Sequence, residues 1–600
     1  MTFKLLELGK FILKSKTLLL WLCAIYFVNF LPYEPIKRMF GDKQVVASPI
    51  RVSLAKVSSQ NSIWGSYIAG RFAEKQRDFE IAANLLDKVL KEDAENDRLI
   101  GKTFLLFLGS GKYDRSLELA EKLGEQNLDK RNSATMFAQI LLAARAVKTD
   151  LLREARERLQ KMPNSGLEKL SKPIAIAWVN AGLGEFQEAF SQISNLSEES
   201  GFGKLADLHL ALLNESAGRH KKALAIYQDA TANLNEAPVR FVRAFGSFLV
   251  RNKQIDKARE LYTSYLTIHP GSYLITHELE RLNLGDKPSF YVNNAVGGFA
   301  EGMFNLASAL PADRVAEVVL LFARIATYLR PDFPKAQLLM GNILDVLKRY
   351  NDSIEIYKSV EPNSPYSWLS DLKMAENLNS VDRINEARAL LQKLANQRPK
   401  EIQPLMYLGN FLRKRKDFIG AERAYNRAFE RLGAVKPDDW ELFYYRGICR
   451  ERQKKWRNAE KDFLRALELN PNQPYVLNYL GYSWVDQGRN LDKARAMIEL
   501  AVEQRRDDGY IVDSMGWVLY RLGQYVGAVK HLESAVELRP LDPIINDHLG
   551  DAYWRVGRKY EARFQWKRAL SFDPEIEEVR KIRSKIENGL KQPKVMGSNR

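Results

Sequence analysis

The chain has 600 residues, 46% apolar and 28% charged, with 35 glycines, 22 prolines and two cysteines, Cys23 and Cys449. This composition excludes collagen-like, low-complexity and wholly disordered chains, and two cysteines exclude a disulfide framework, a four-thiolate zinc site or an iron–sulfur cage. A mean hydropathy of −0.34 excludes a multi-span membrane protein while permitting one anchor, and the net charge of +17 is too dilute to choose among nucleic acid, anionic membrane and acidic protein partners.

Residues 1–45 read as a basic flank followed by a signal or membrane-anchor segment. Lys4, Lys10, Lys14 and Lys16 stand against Glu7 alone, and residues 17–31 carry no charge. Those 15 residues would span about 22 Å as a helix, short of the ~30 Å hydrocarbon core, so crossing needs snorkelling flanks or a thinned bilayer. No small-x-small site follows closely, because Pro32 and Pro35 come next and Val45-Val46-Ala47 lies well downstream; an uncleaved anchor is favoured over a removed leader. Leu20-Trp21-Leu22-Cys23 resembles a bacterial lipobox but lacks the small residue before the cysteine. A buried N-terminal helix is the competing reading, disfavoured by the lysines on both flanks. The basic flank slightly outweighs Lys37, Arg38 and Lys43 on the far side, which gives an inner-membrane anchor facing the periplasm, with a cleaved periplasmic form as its variant.

From Ile63 onward the chain repeats itself. Small or packing residues recur at Gly70, Phe104, Ala143, Ala177, Ala211 and Gly246, spaced 34, 39, 34, 34 and 35, with alanines at 82, 155, 189, 223 and 258 in a second helix of each unit. The next interval, Gly246 to Ala307, is 61 residues and contains Gly285, Pro288, Gly297, Gly298 and Gly302. We read residues 63–282 and 300–576 as two arrays separated by a Gly/Pro-containing break at 283–299. The second array is marked by Ala307, Gly341, Ala375, Gly409, Gly447, Gly481, Gly516 and Gly550, spaced 34, 34, 34, 38, 34, 35 and 34. Residues 577–600 read as a charged capping helix and a basic tail.

The spacing has a packing logic. Two antiparallel helices approach closely only where side chains are small, a role for Gly550, Ala562 and Ala569, while Leu549, Tyr553 and Trp566 recur at helical intervals and Pro574 stops the second helix. Each hairpin leaves an apolar face that the next covers. The pattern resembles the tetratricopeptide repeat (TPR), with departures at Arg446, where the family favours Leu, at Ser353 in place of alanine, and at Gly433 before an inserted Ala434–Asp439. The resemblance implies an all-α protein of two superhelical solenoids built from α-α hairpins.

Catalytic chemistry finds no foothold in the sequence. The six histidines show no metal-binding spacing, and His277-Glu278-Leu279-Glu280-Arg281 lacks the second histidine of a zinc protease. Leu108-Gly109-Ser110-Gly111-Lys112 lacks the upstream glycine and the following hydroxyl of a P-loop and reads as a turn; Gly201-Phe202-Gly203 has no preceding strand pattern. No cofactor and no small-molecule substrate are expected.

In TPR proteins ligands lie along a groove lined by the first helix of each unit. Matching positions here are Tyr444 and Arg452; Tyr475, Asn478 and Tyr482; Asp513, Trp517, Tyr520 and Arg521; and Asp547, Asp551, Trp554 and Arg555. Aromatic area combined with fixed charge suits capture of a peptide or protein, although tyrosines at such positions also serve helix packing. Asn342 and Asn410 match the asparagine of a carboxylate clamp, but Leu338 and Met406 stand where its lysine belongs, so that clamp is not supported. The expectation is a non-enzymatic scaffold at a bacterial-type cell envelope that binds proteins in its grooves. The rivals are a substrate-recruiting subunit of an envelope enzyme complex and, less favoured given the signal-like N-terminus, a nucleic-acid-binding helical repeat.

Overall fold

The computed structural model describes residues 62–126, 133–197, 199, 201–286 and 291–591. The anchor segment 17–31 lies outside these residues. Among the described residues the chain forms helices and turns with no strand, and no helix is long and apolar enough to cross a membrane.

The helices divide into two compact units at Ala387/Arg388. In the first, hairpins are formed by α1 (Ile63–Lys75) with α2 (Phe79–Leu90), α3 (Asp97–Ser110) with α4 (Tyr113–Gln126), α5 (Ser133–Lys148) with α6 (Leu152–Gln160), α7 (Glu168–Gly182) with α8 (Phe186–Ser197), α9 (Gly203–Ser216) with α10 (His220–Ala230), and α11 (Val239–Arg251) with α12 (Ile255–Ile268). There follow a single helix α13 (Tyr273–Asn283), the hairpin α14 (Ala295–Ala309) and α15 (Ala312–Leu329), α16 (Pro334–Val346), α17 (Tyr350–Lys358) and α18 (Ser367–Ser380). α19 (Ile384–Gln397) carries the division point. The second unit continues with α20 (Gln403–Lys414), α21 (Phe418–Arg431), α22 (Trp440–Arg452), α23 (Trp456–Leu469), α24 (Pro474–Asp486), α25 (Leu491–Gln504), α26 (Gly509–Arg521), α27 (Tyr525–Leu538), α28 (Pro543–Arg555), α29 (Lys559–Ser571) and a final α30 (Ile576–Asn588).

Local chemistry sets the boundaries. Ser62, Asp78 and Asn96 accept the amide hydrogens of Gly65, Ile81 and Leu99 at helix starts, and Pro334, Pro474 and Pro543 open their helices, where a missing N–H costs nothing. The tight turn inside the hairpins other than α14/α15 passes through a left-handed residue, as at Gly111, Gly184 and Gly523 and, with a side chain present, at Lys253, Lys348 and Lys454.

The small residues of the first helices face a large residue 16 positions later. A Cβ placed on Gly246, Gly341, Gly409 or Gly447 would lie 2.2, 2.2, 2.4 or 2.7 Å from Tyr262, Tyr357, Tyr425 or Phe463, and on Gly550 would lie 2.5 Å from Trp566. Each ring fills the space its glycine vacates. The departures from the repeat pattern are explained in the same way: Arg446 bonds Asp462 through two nitrogens at 2.7 and 3.0 Å with its guanidinium 3.7 Å from the Phe429 ring. Buried Ser353 donates to the Gly341 carbonyl at 2.9 Å and accepts from Asn377 at 3.0 Å. The insertion ends in a single 3-10 turn, Pro437–Asp439, leading into α22.

The expected break at 283–299 is not where the compact units divide. Residues 295–299 are the buried start of α14, and the α14/α15 hairpin packs back on the first helices of preceding repeats, α14 on α5 and α7, α15 on α3 and α5. Gly298 and Gly302 make this approach physical: a Cβ there would meet Trp178 at 1.9 Å and Ile174 at 2.2 Å. Phe322 meets Phe137 edge-on with centroids 4.9 Å apart, and Arg324 donates to the Gly109 carbonyl at 3.2 Å while its own carbonyl accepts from the Tyr113 hydroxyl at 2.9 Å. Glycines that read as a linker are contact points between helices.

The same hairpin carries a buried acid. Glu301 of α14 is fully buried and paired with Arg240 of α11 and, at 2.7 Å, with Lys335 of α16. Burial alone would raise its pKa; the two cations outweigh that and hold it at about 2. His209, fully buried, accepts from the Trp178 indole at 2.9 Å and meets the Asn305 amide at 3.0 Å, and burial pushes it down to about 3, a neutral imidazole.

Candidate functional site

Four first helices of the second unit, α22, α24, α26 and α28, carry the groove positions, and α30 closes the row. On α26, Asp513, Trp517, Tyr520 and Arg521 fall at helical spacing on one face, and α28 presents Asp547, Asp551, Trp554 and Arg555 at the corresponding places one repeat later. The side chains interlock across the two helices. The Trp517 indole is stacked between Tyr520, at 4.9 Å and 10°, and the His548 imidazole of α28, at 4.1 Å and 17°. His548 Nδ1 donates to both Asp513 oxygens at 3.0 and 3.1 Å, and Arg555 Nε donates to the Tyr520 hydroxyl at 3.2 Å.

Charge balance in this cluster comes from the last helix. Lys585 of α30 donates to Asp547 at 2.7 Å and Asp551 at 2.8 Å, and Asp551 also accepts from the buried Trp566 indole at 2.9 Å. Burial would lower the Lys585 pKa; Asp551 and Asp547 reverse that and raise it. Burial, and then the neighbouring Asp547 charge, push Asp551 up to about 6 in spite of Lys585. His548 is raised as well, because Asp513, followed by Asp547 and Asp551, outweighs the cost of burying its charge.

The structure sorts the sequence candidates into two groups. Arg452 is exposed, and Asn478, Tyr482, Trp517, Tyr520, Arg521 and Arg555 are half-buried on successive first helices; Tyr482 feels the charges of Asp513, Asp486, Arg452 and Arg521, which places it in the same row. Tyr444 and Tyr475, 2% and 4% exposed, belong to the packing between helices, Tyr444 in contact with Tyr445, Phe463 and Tyr479. They are corrected from groove residues to core residues. Asp513, Asp547 and Asp551 form the buried floor. Trp554 is engaged by the chain end: it lies 5.5 Å from Trp566, under Lys559 and Arg563, and a Cβ on Gly589 would meet it at 2.0 Å.

Sequence reasoning missed His548 and Lys585. His548 sits one residue after the aspartate that marks the α28 stripe, a signal that was present; Lys585 lies in a helix outside the 34-residue period and carries none. The two asparagines at clamp-like positions, Asn342 and Asn410, each accept from the tyrosine of their own hairpin, Tyr357 and Tyr425, at 2.8 Å. The Leu108–Lys112 segment comprises the last residues of α3 and the α3–α4 turn at Gly111 and Lys112.

Tetratricopeptide-repeat family models match residues 440–473 and 514–574. A TPR repeat-containing protein of Pseudomonas aeruginosa is 27% identical over 212 residues, 35% of this chain and 35% of that protein. The probable UDP-N-acetylglucosamine–peptide N-acetylglucosaminyltransferase SPINDLY of Hordeum vulgare is 25% identical over 205 residues, 34% of this chain and 21% of the plant protein. The chain thus spans 35% and 21% of the lengths of these two relatives. Among solved structures, the APC/C hetero-tetramer Cut9-Hcn1 is similar with a TM-score of 0.37 and 15% identity over 90% of this chain and 98% of that one. Yeast Tom70 is similar with a TM-score of 0.30 and 15% identity over 88% and 95% of the two chains.

Proposed function

We propose, from the premise that the chain is a tetratricopeptide-repeat protein, that it is a non-enzymatic scaffold whose C-terminal repeats hold a partner polypeptide at the bacterial cell envelope. Repeats of this kind are protein-interaction scaffolds. The observation that carries the reading is the row of half-buried aromatic and charged side chains, Tyr482, Trp517, Tyr520, Arg521 and Arg555, on consecutive first helices of the second unit. Rings locked by stacking lose little entropy on contact, and fixed charges set the register of an extended chain. In the first unit the corresponding face of α3, α5 and α7 is covered by α14 and α15, which closes that stretch to a partner. The charge-free run 17–31 serves as the anchor and puts the repeats on the periplasmic side.

Crosslinking followed by pull-down from native membranes tests the binding. A discrete set of partners recovered with wild type and lost with Trp517→Ala supports the groove; an unchanged set contradicts it. Carbonate extraction and protease protection test the anchoring separately: a protein released by carbonate, or digested from the cytoplasmic side, contradicts it.

A further inference from the structure

The first described helix shows solvent a face that is at once apolar and cationic. In α1, Trp64, Ile68 and Phe72 are 76%, 66% and 57% exposed, with Ile63 and Tyr67 beside them at 44% and 39%. At about 100° per residue, Arg71 and Lys75 fall in the middle of this face, while Gly70 and Ala73 are buried on the opposite side, Gly70 against Leu86. The single acid of the helix, Glu74, sits at the edge of the face and is taken up by Arg71 and Lys102, each at 2.9 Å. Arg77 follows in the next turn. The end of a repeat array normally presents a polar outer side, since nothing stacks on it.

The composition of the face selects its occupant. A preceding helical hairpin or a second copy would cover Lys75 with protein, at a desolvation cost unless it supplied an acid to meet it, Arg71 being met by Glu74. An anionic lipid surface takes up the exposed apolar side chains and Lys75 together, while Glu74 and Glu317 of α15 beside Arg71 reduce the net positive charge of the face. Trp64 and Tyr67 sit at headgroup level, Ile68 and Phe72 enter the acyl boundary, and the stems of Arg71 and Lys75 reach to phosphate. Ile63 follows the end of the charge-free run at Leu31 by 32 residues, a tether of up to about 100 Å when extended, so a chain held by that run has α1 within reach of the same surface. We propose that α1 is a membrane-surface docking helix, lying on anionic lipid through Trp64, Ile68 and Phe72 with Arg71 and Lys75 on headgroup phosphates.

The test uses the full chain with Cys23→Ala and Cys449→Ala, an NBD fluorophore on Ile68→Cys, and a control fluorophore on Val526→Cys, which is 80% exposed on α27. The proteins are reconstituted into phosphatidylglycerol-containing vesicles and into phosphatidylcholine vesicles. The expected result is a blue shift at position 68, with quenching by brominated acyl chains, in the anionic vesicles, none at position 526, and a docked-to-free ratio that falls roughly fivefold for each of Arg71→Gln and Lys75→Gln. A position-68 probe that matches the control in vesicles from which carbonate cannot strip the protein overturns the docking while leaving the anchor standing. A blue shift that appears without lipid and grows with protein concentration overturns it in favour of a second copy. Quenching at position 68 in a protein that carbonate does strip supports the docking and removes the anchor.

Discussion

At the scale of single residues, the fold depends on pairs whose sizes compensate. Gly409 faces Tyr425, and a methyl group there would lie 2.4 Å from the ring. Gly409→Ala therefore costs about 1–3 kcal/mol of overpacking, read by urea denaturation. Adding Tyr425→Leu restores most of it, because Ala375 with Leu391 is that combination at the same 16-residue offset. These pairs were legible in the sequence because a period of about 34 aligns the small residues, and the alignment names what must be near them. Glu301 was not legible: its burial depends on α14 folding back onto repeats far upstream, which no local pattern announces. Replacing it by Gln leaves Arg240 and Lys335 facing a neutral partner in a dry site, and loss of a buried countercharge costs about 3–5 kcal/mol. A thermal melt that shifts by less than a surface substitution would contradict the ion-pair role.

At the scale of elements, α28, α29 and α30 act together through Asp547, His548 and Asp551 of the first, Trp566 of the second and Lys585 of the third. Asp551 titrates at about 6 in the folded chain against 3.8 as its ordinary value, and His548 is raised above 6.5. Both groups bind their proton more tightly folded than unfolded. The Asp551 contribution is complete below about pH 3.8 and is lost as the pH rises through 6; that of His548 is complete below 6.5 and lost above its raised value. Hydrogen exchange across α28–α30 should accordingly quicken from pH 4 upward relative to Asp551→Asn, once intrinsic exchange is corrected for, and quicken again above 6.5 relative to His548→Gln. Exchange that tracks both variants at every pH would remove the coupling. The last helix supplies Lys585 to Asp547 and Asp551, and Gly589 just after it lies against Trp554. Residues 295–299 at the start of α14 read as part of the break because glycines spaced along a helix for close contact have the composition of a linker, and only the tertiary partner, Trp178, tells them apart.

At the scale of the units, each hairpin of the second unit is stabilised by its sequence neighbours, whereas in the first the α14/α15 hairpin also packs on helices several repeats upstream. The row of first-helix residues in the second unit was legible as a row, since Asp513, Trp517 and Tyr520 map onto Asp547, Asp551 and Trp554 one repeat later. Which members stand open to a partner was not, because burial is decided by Tyr479, Trp566 and α30, which lie off the stripe. The proposed role of this row is to hold a polypeptide. The most direct measurement places a photo-crosslinking phenylalanine analogue at Tyr520, and separately at Val526, and irradiates cells. Discrete protein adducts from position 520 that disappear with Trp517→Ala, and none from position 526, are expected. Adducts from position 526 with none from position 520 would contradict that role.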